Sequence, residues 1–284
     1  GCYFGLSSSR VIWSGRMILT RENILNFVIT AGLILVPIYA VIVEEPFTIT
    51  LATRAVIFSL AAVGLNIALG LGGMVSLGHA VFFGLGGYTM GILAFHAQSY
   101  IPLFEWPILI EGTKQMLVVW PLAMIISAIA AFVIGLLSLR TGGVYFIMIT
   151  LAFGQMFFFF SISWSAYGGE DGLSIYVRNQ FPLVNTLVPI QFYAICLAIL
   201  MLALWINARL AKSSFGLALS AARQNTERVR NVGLDPKSIK LVAFVISGAI
   251  TGLAGALFAD LNRFVSPTMF SWQLSGEIMV FIII

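Results

Sequence analysis

Charge is what this chain has least of. Lys, Arg, Asp and Glu together make up 9% of its 284 residues, against about 25% in an ordinary soluble domain. A soluble globule cannot cover its surface with so few charges. A soluble enzyme, a disordered chain, a coiled coil and a free nucleic-acid binder are therefore excluded. There are two cysteines, Cys2 in an irregular N-terminal stretch and Cys196 inside an apolar run. No disulfide or metal framework follows from them, and Cys196 reads as a packing thiol. No His/Glu cluster with metal spacing is present. No G-x-x-x-x-G-K-[ST] occurs, so the chain does not itself bind ATP by a P-loop. No G-x-S-x-G occurs either. The sequence offers no catalytic set, no metal site and no cofactor site. It conducts something or is driven by something else.

What is there is apolar. Hydrophobic residues make up 60% and mean hydropathy is +1.02. The apolar runs are about 20 residues long and unbroken, the length a helix needs to cross a bilayer, not the short alternating strands of an outer-membrane barrel. Candidate spans are Ile24 to Val43, Ala55 to Leu71, Met74 to Ala97, Leu117 to Leu137, Gly142 to Trp164, Val188 to Ala208 and Leu241 to Ala259, and an eighth begins near Gly276. The expectation is an all-α polytopic membrane protein with about eight spans present. None of the seven complete spans holds Lys, Arg, Asp or Glu. Asn66, His79 and Gln155 are the strongly polar side chains away from their ends, and His96 reads as interfacial. Ile24 to Val43 is too long for a signal-peptide core, and Val43-Glu44-Glu45-Pro46 lacks a small-residue cleavage site.

Basic residues set the orientation. With the N-terminus inside, eleven Lys/Arg fall in the inside segments: Arg10, Arg16, Arg21, Arg140 and the cluster Arg209, Lys212, Arg223, Arg228, Arg230, Lys237, Lys240. Four fall outside: Arg54, Lys114, Arg178 and Arg263. Removing one span would put the cluster outside, so the bias tests the parity of the spans as well. Residue 1 is Gly, and the run Ile278 to Ile284 simply stops. The chain accordingly reads as a fragment lacking its C-terminal part, with Met17 as the candidate natural start. On that reading 1–23 is an N-terminal cytoplasmic segment, its first 16 residues non-native, and 24–284 is one transmembrane domain with a cytoplasmic loop at 209–240.

Three segments carry information. Gly64 to Gly91, GLNIALGLGGMVSLGHAVFFGLGGYTMG, holds nine glycines. Each costs about 1 kcal/mol against Ala in a helix interior, so within lipid they mark close backbone approach or a helix break. Gly87 and Gly91 form one small-xxx-small pair. Gly70 to Gly73 is either a tight turn or a break. Close packing and a thin wall along a substrate pathway both fit, and Asn66, Ser76 and His79 favour the second, because polar groups at membrane depth are costly unless satisfied. For His79 a structural hydrogen bond and a pathway role stand equal. Leu139 to Met156, LRTGGVYFIMITLAFGQM, carries Tyr145, Thr150 and Gln155, which do not share one helix face, so packing or structural hydrogen bonds are the first reading and a pathway role the second. With Tyr88 these make the candidate pathway set: Asn66, Ser76, His79, Tyr88, Tyr145, Thr150 and Gln155. Arg209 to Lys240 is the most charged part of the chain. Ser213 or Ser214 can cap a short helix there, and Gly233 and Pro236 end or redirect its second half. A loop this long with its own helices reads first as a docking element for a cytoplasmic partner and second as a solvated charged loop that only sets orientation. Beyond it, Gly248, Gly252, Gly255 and Ala259 recur on one face and fit close helix packing.

These three segments, in this order, closely resemble the permease subunits of branched-chain amino acid ABC importers, from about Ala55 to Ile284. The resemblance implies an ABC importer transmembrane-domain fold in the bacterial inner membrane, with the N-terminus cytoplasmic. It implies an importer of leucine, isoleucine or valine assembled from a second homologous permease, two ABC ATPase subunits that use ATP and Mg, and a periplasmic substrate-binding protein. Related permeases carry urea and short amides, so the motifs are not specific for the cargo. The loop between the sixth and seventh spans resembles the ATPase-coupling segment, which maps onto Phe215, Ala218, Ala221, Ala222, Arg223, Gln224, Asn225, Glu227, Arg228 and Gly233. Ser220-Ala221-Ala222 stands where other ABC permeases often have Glu-Ala-Ala, which weakens the case for a glutamate contact. The implied mechanism is alternating access. The rivals are a secondary carrier, which would normally show intramembrane ionisable residues, and a passive channel. Neither explains the basic loop.

Overall fold

The computed structural model describes residues 46–99, 115–175 and 188–283. The expected span Ile24 to Val43 lies outside the described residues. Helix α1 is Pro46–Asn66, continued by a π-helical turn over Ile67–Leu71. Then come α2 (His79–Ser99), α3 (Met116–Ser138), α4 (Val144–Ser163) and α5 (Pro189–Ala211). Two short helices follow, α6 (Ser214–Gln224) and α7 (Thr226–Asn231), before the long α8 (Pro236–Asn262) and the short α9 (Trp272–Ile283). Six of these helices are long and apolar enough to cross a membrane.

The helices alternate in direction. A cavity brings the start of α1 (Thr50, Thr53), the start of α5 (Pro189, Phe192) and the end of α8 (Leu261, Arg263) together at one end of the bundle. A two-residue antiparallel ladder, β1 (Leu173–Ser174) with β2 (Phe264–Val265), ties the segment after α4 to the segment after α8 at that same end. His96 near the end of α2 meets the Tyr167 hydroxyl there, at 3.0 Å. At the opposite end the Arg223 guanidinium donates to the Gly70 carbonyl, and the α3–α4 turn faces the start of α8. Arg140, Arg209, Lys212, Arg223, Arg228, Arg230, Lys237 and Lys240 therefore gather at one end. The span parity read from the basic residues holds across the described helices.

Four spans differ in their boundaries from the sequence expectation. The second span begins at Pro46 rather than Ala55, so Arg54 lies inside α1. Arg54 is tolerated near the helix end because its guanidinium packs over the Phe258 and Phe58 rings, at 5.4 and 5.9 Å from their centroids, and a long basic side chain there can reach the interface. The seventh span begins at Pro236 rather than Leu241 and ends at Asn262, so Lys237, Lys240 and Asp260 belong to α8 and the loop is shorter than 209–240. Pro236 sits at the first helical position and the Asp235 carboxylate accepts from the Lys237 and Ser238 amides. That cap starts the helix earlier than hydropathy alone suggests. The last helix begins at Trp272, before Gly276.

The fourth difference concerns α2, which starts at His79 and not Met74. Gly70 to Gly73 is a helix break, not a tight turn between two full spans. After the π-helical turn, residues 72–78 run without helical structure back into the bundle. A Cβ at Gly78 would lie 2.6 Å from the Thr150 carbonyl oxygen, and His79 lies against Ser247. Thr150 is about 10 Å along α4 and Ser247 about 17 Å along α8, at 1.5 Å per residue. Helix α2 thus begins inside the bundle, where unsatisfied amides are expensive. The Ala80 amide donates to Ser275 Oγ at 2.8 Å, and the Gly78 amide to Ser76 Oγ at 3.3 Å.

Helices α2 and α8 form the core. A Cβ on Gly86 would collide with the Gly252 carbonyl, and one on Gly255 with the Phe83 carbonyl. Gly248 faces Ala131 and Phe82, and Gly252 also faces Ser127 of α3. The small-residue face of α8 is packed against α2 and α3 as its spacing predicts. Gly87 touches the seam only at its margin, a Cβ there lying 3.4 Å from the Gly255 carbonyl, and Gly91 meets no helix backbone among its nearest neighbours. Gly87 faces the Met269 side chain, and Gly91 faces Val265 and Leu173 of the β1–β2 ladder.

Candidate functional site

The predicted pathway residues divide into a buried group and three outliers. Ser76, His79, Tyr88 and Thr150 are buried. His79 Nε2 lies 2.8 Å from Ser247 Oγ. Its ring stands edge-on to Phe82 and Phe244, with centroids 5.3 and 5.4 Å away. In this conformation the histidine closes a hydrogen bond between α2 and α8 within an aromatic cage. Thr150 Oγ1 donates to the Ile147 carbonyl at 3.0 Å, an intrahelical bond. Its backbone abuts Gly78, so Ser76, Gly78, His79 and Thr150 come together at the broken start of α2. Tyr88 lies further along α2, its ring 5.2 Å from that of Phe270. Asn66 is half-buried beside the π-helical turn, its side-chain oxygen filling the space a Cβ on Gly70 would need. Gln155 is half-buried and Tyr145 is 71% exposed.

Sequence reasoning missed the hydroxyl partners. Ser247, Ser127, Thr251 and Ser275 are all buried. Ser127 Oγ donates to the Phe82 carbonyl at 3.2 Å and Thr251 Oγ1 to the Ser247 carbonyl at 2.9 Å. The signal for two of them was present: Ser247 and Thr251 are one turn apart, interleaved with Gly248 and Gly252. Ser275 had none, because its role depends on where α2 begins.

At the basic end, α6 and α7 form a helical hairpin. Ser213 caps α6, accepting from the Gly216 amide at 3.2 Å, and Asn225 caps α7, accepting from the Arg228 amide at 3.0 Å. Gly233 follows α7 with φ +88°, a left-handed geometry suited to glycine. The hairpin is two-faced. Gly216, Leu219, Ala222 and Val229 are buried against the bundle, while Phe215 and Ala218 are half-buried. Leu217, Ala221, Gln224, Asn225, Glu227, Arg228, Val232 and Leu234 are exposed. Val232 is 79% exposed, an unusual position for an apolar side chain on a polar end. Arg223 bridges the two faces. Its stem packs on Gly73 and its guanidinium donates to Gly70. The hairpin therefore touches α1 at the π-helical turn, just where the chain turns back toward His79.

An all-helical bundle with six membrane-length helices, a central glycine seam and a capped hairpin at its basic end is a multi-pass membrane protein with an ABC-type transmembrane domain. Residues 47–284 match the family described as branched-chain amino acid transport system / permease component, and the chain belongs to that family. It is 29% identical over 287 aligned positions to the high-affinity branched-chain amino acid transport system permease protein LivM of Escherichia coli K12, covering 89% of this chain and 63% of that protein. The LivM protein of Salmonella typhimurium matches to the same extent. Over 89 positions, 31% of this chain and 25% of the relative, it is 39% identical to the autoinducer 2 import system permease protein LsrC of Photorhabdus laumondii. The chain spans about two-thirds or less of the relatives it matches: 63% of each LivM. No solved structure matches.

Proposed function

We propose that this chain is the membrane-spanning subunit of an ATP-driven importer that moves leucine, isoleucine or valine across the bacterial inner membrane. The basic end faces the cytoplasm, because Lys and Arg accumulate there. Its partners are a second homologous permease, two ABC ATPase subunits and a periplasmic binding protein. The chain has no P-loop motif, so ATP is used by the ATPase partners. The observation that supports this reading best is the α6–α7 hairpin, held to the bundle by Leu219 and Ala222 and joined to α1 by Arg223.

The exposed residues of the hairpin present a surface to an ATPase. When the ATPase pair closes on ATP, α6 moves. Arg223 passes that movement to Gly70 and the π-helical turn, an element already departing from α-helical geometry. The break at 72–78 lets α2 shift relative to α1, and the bundle rocks against its partner. His79 and Ser247 lie where such a shift is felt, and their bond holds the present conformation. The permease need not bind cargo tightly, because the binding protein supplies affinity.

The test is reconstitution of the full-length protein with its partners in liposomes. Leucine uptake that requires ATP and the binding protein is the expected result. Uptake that persists without ATP would replace the importer with a carrier or channel. Arg223→Glu combined with Arg228→Glu should abolish substrate-stimulated ATP hydrolysis while the complex still assembles. Unchanged stimulation would remove the hairpin from the coupling path.

A further inference from the structure

A cavity of about 530 Å³ opens at the basic end between the α3–α4 turn, the residues after the π-helical turn, Thr226 of α7 and the first turns of α8. Its wall carries three cations, Arg140, Lys237 and Lys240, and no acidic side chain. None of the three has an acidic partner within ion-pair distance among the described residues. Asp235, the nearest acid in sequence, borders a smaller neighbouring cavity with Arg140 and Lys237. Its carboxylate is engaged by the Lys237 amide, the Ser238 amide and the Ser238 hydroxyl, and it also attracts the Lys237 charge from beyond ion-pair distance, which leaves Arg140 and Lys240 as the cations it offsets least. Gly142 and Gly143, also in the wall, have open space where a side chain would stand.

The setting narrows the occupant. Arg140 lies just past the end of α3, and Lys237 and Lys240 lie in the first turns of α8, so the cations sit at the level where membrane helices end. Directly beside the cavity, Leu136 and Leu137 of α3 and Val144, Tyr145 and Met148 of α4 are exposed apolar side chains. On membrane-length helices those side chains face lipid tails, so acyl chains already lie beside the cations. A molecule with a phosphate at one end and acyl chains at the other satisfies both.

We propose that this cavity binds the headgroup of an acidic phospholipid. Arg140, Lys237 and Lys240 take the phosphate, and the acyl chains lie along the exposed faces of α3 and α4. The Thr141 and Thr226 hydroxyls at the wall already donate to the Ser138 and Ala222 carbonyls, so the three cations carry the recognition. Basic pockets between membrane helices are suited to such headgroups. Each basic group at an anionic membrane surface contributes roughly fivefold in affinity, so loss of all three should weaken binding about a hundredfold.

The test uses the full-length protein in its assembled complex, purified in mild detergent. Native mass spectrometry and thermal unfolding are read as phosphatidylglycerol or phosphatidylcholine of the same acyl composition is added. The expected result is retention of phosphatidylglycerol at least tenfold better than phosphatidylcholine, with a rise in Tm for the first alone. Arg140→Gln/Lys237→Gln/Lys240→Gln should lose that preference, whereas Arg209→Gln/Lys212→Gln/Arg230→Gln, which removes as many charges from the same end, should keep it. Equal retention of the two lipids by the unmodified protein overturns the proposal without any variant. Equal loss in both triple variants reduces it to general surface charge and also overturns it. Glycerol 3-phosphate reproducing the Tm rise at the same concentration assigns the cavity to a soluble anion instead. If the cavity variant does not assemble, Lys240→Gln alone should give about a fivefold loss, and no loss would count against the site.

Discussion

Helices α4 and α8 are both apolar and both cross the bundle, yet they end up in opposite places. Of the central stretch of α8, 67% is buried inside the molecule, against 22% for α4. Hydrophobicity does not separate them. The difference is size. Helix α8 turns Gly248, Gly252 and Gly255 toward its neighbours, and the carbonyls of Gly252 and Phe83 come where side chains would otherwise be. Helix α4 carries Met148, Met156, Phe159 and Phe160, all more than half exposed. Lipid tails solvate Phe as well as a protein core does, so apolar bulk gains little by burial there. Close van der Waals contact between backbones is what holds membrane helices together, and small residues permit it.

The strongest way to break that contrast is to enlarge the seam. Gly255→Val should destabilise by about 3 kcal/mol, because the obstacle is the Phe83 backbone and cannot rotate away. Loss of monodisperse protein on detergent extraction would report it, and a fully stable variant would show that α2 and α8 are not in backbone contact. Next in size is the polar bridge across the seam. His79→Leu should cost about 1–2 kcal/mol, since Ser247 loses its interhelical partner. A double-mutant cycle with Ser247→Ala should return a coupling of about 0.6–1.7 kcal/mol. Zero coupling would mean that the histidine is held by the Phe82 and Phe244 rings alone.

The control on the other side of the comparison is Met148→Ala with Met156→Ala. Each should change stability by less than about 0.5 kcal/mol if that face meets only lipid. A larger loss in the assembled complex, absent from the isolated chain, would place a second subunit on α4. The smallest effect concerns Asp235. Hydrogen bonds from Ser238 and the Lys237 amide hold its carboxyl below the ordinary 3.8. A depressed carboxyl stabilises the fold fully above its unfolded value, and that contribution is lost as pH falls through the lower folded value. Protection of the first α8 amides against hydrogen exchange should therefore be flat near neutrality and fall only below about pH 3.8. Asp235→Asn should remove the acid-dependent fall, and if it persists, another group titrates there.

Much of this was legible in the residues. The long apolar runs named the membrane helices to within a turn or so at most ends. The spacing of Gly248, Gly252, Gly255 and Ala259 named the packing face of α8. Ser213 and Gly233 marked the hairpin. The misses share one physical cause. Hydropathy sees side chains, whereas helix boundaries are set by backbone hydrogen bonding. Asp235 and Pro236 start α8 outside the apolar run, and Arg54 is carried within α1 by two aromatic rings that come from different helices. The polar pathway set was chosen residue by residue. The structure gathers Ser76, His79 and Thr150 but leaves Tyr145 exposed, because tertiary packing decides which face of α4 looks inward.

The sequence by itself determined that this is a multi-pass helical membrane protein, which end is basic, and that α8 packs by small residues. Those properties follow from composition and period, and the membrane leaves few alternatives to a helix. Only the tertiary structure decided that α2 begins inside the bundle, that His79 meets Ser247, and that Arg223 reaches Gly70. Each joins residues more than 150 positions apart or rests on partners that are, and such contacts exist only after the helices have chosen their neighbours.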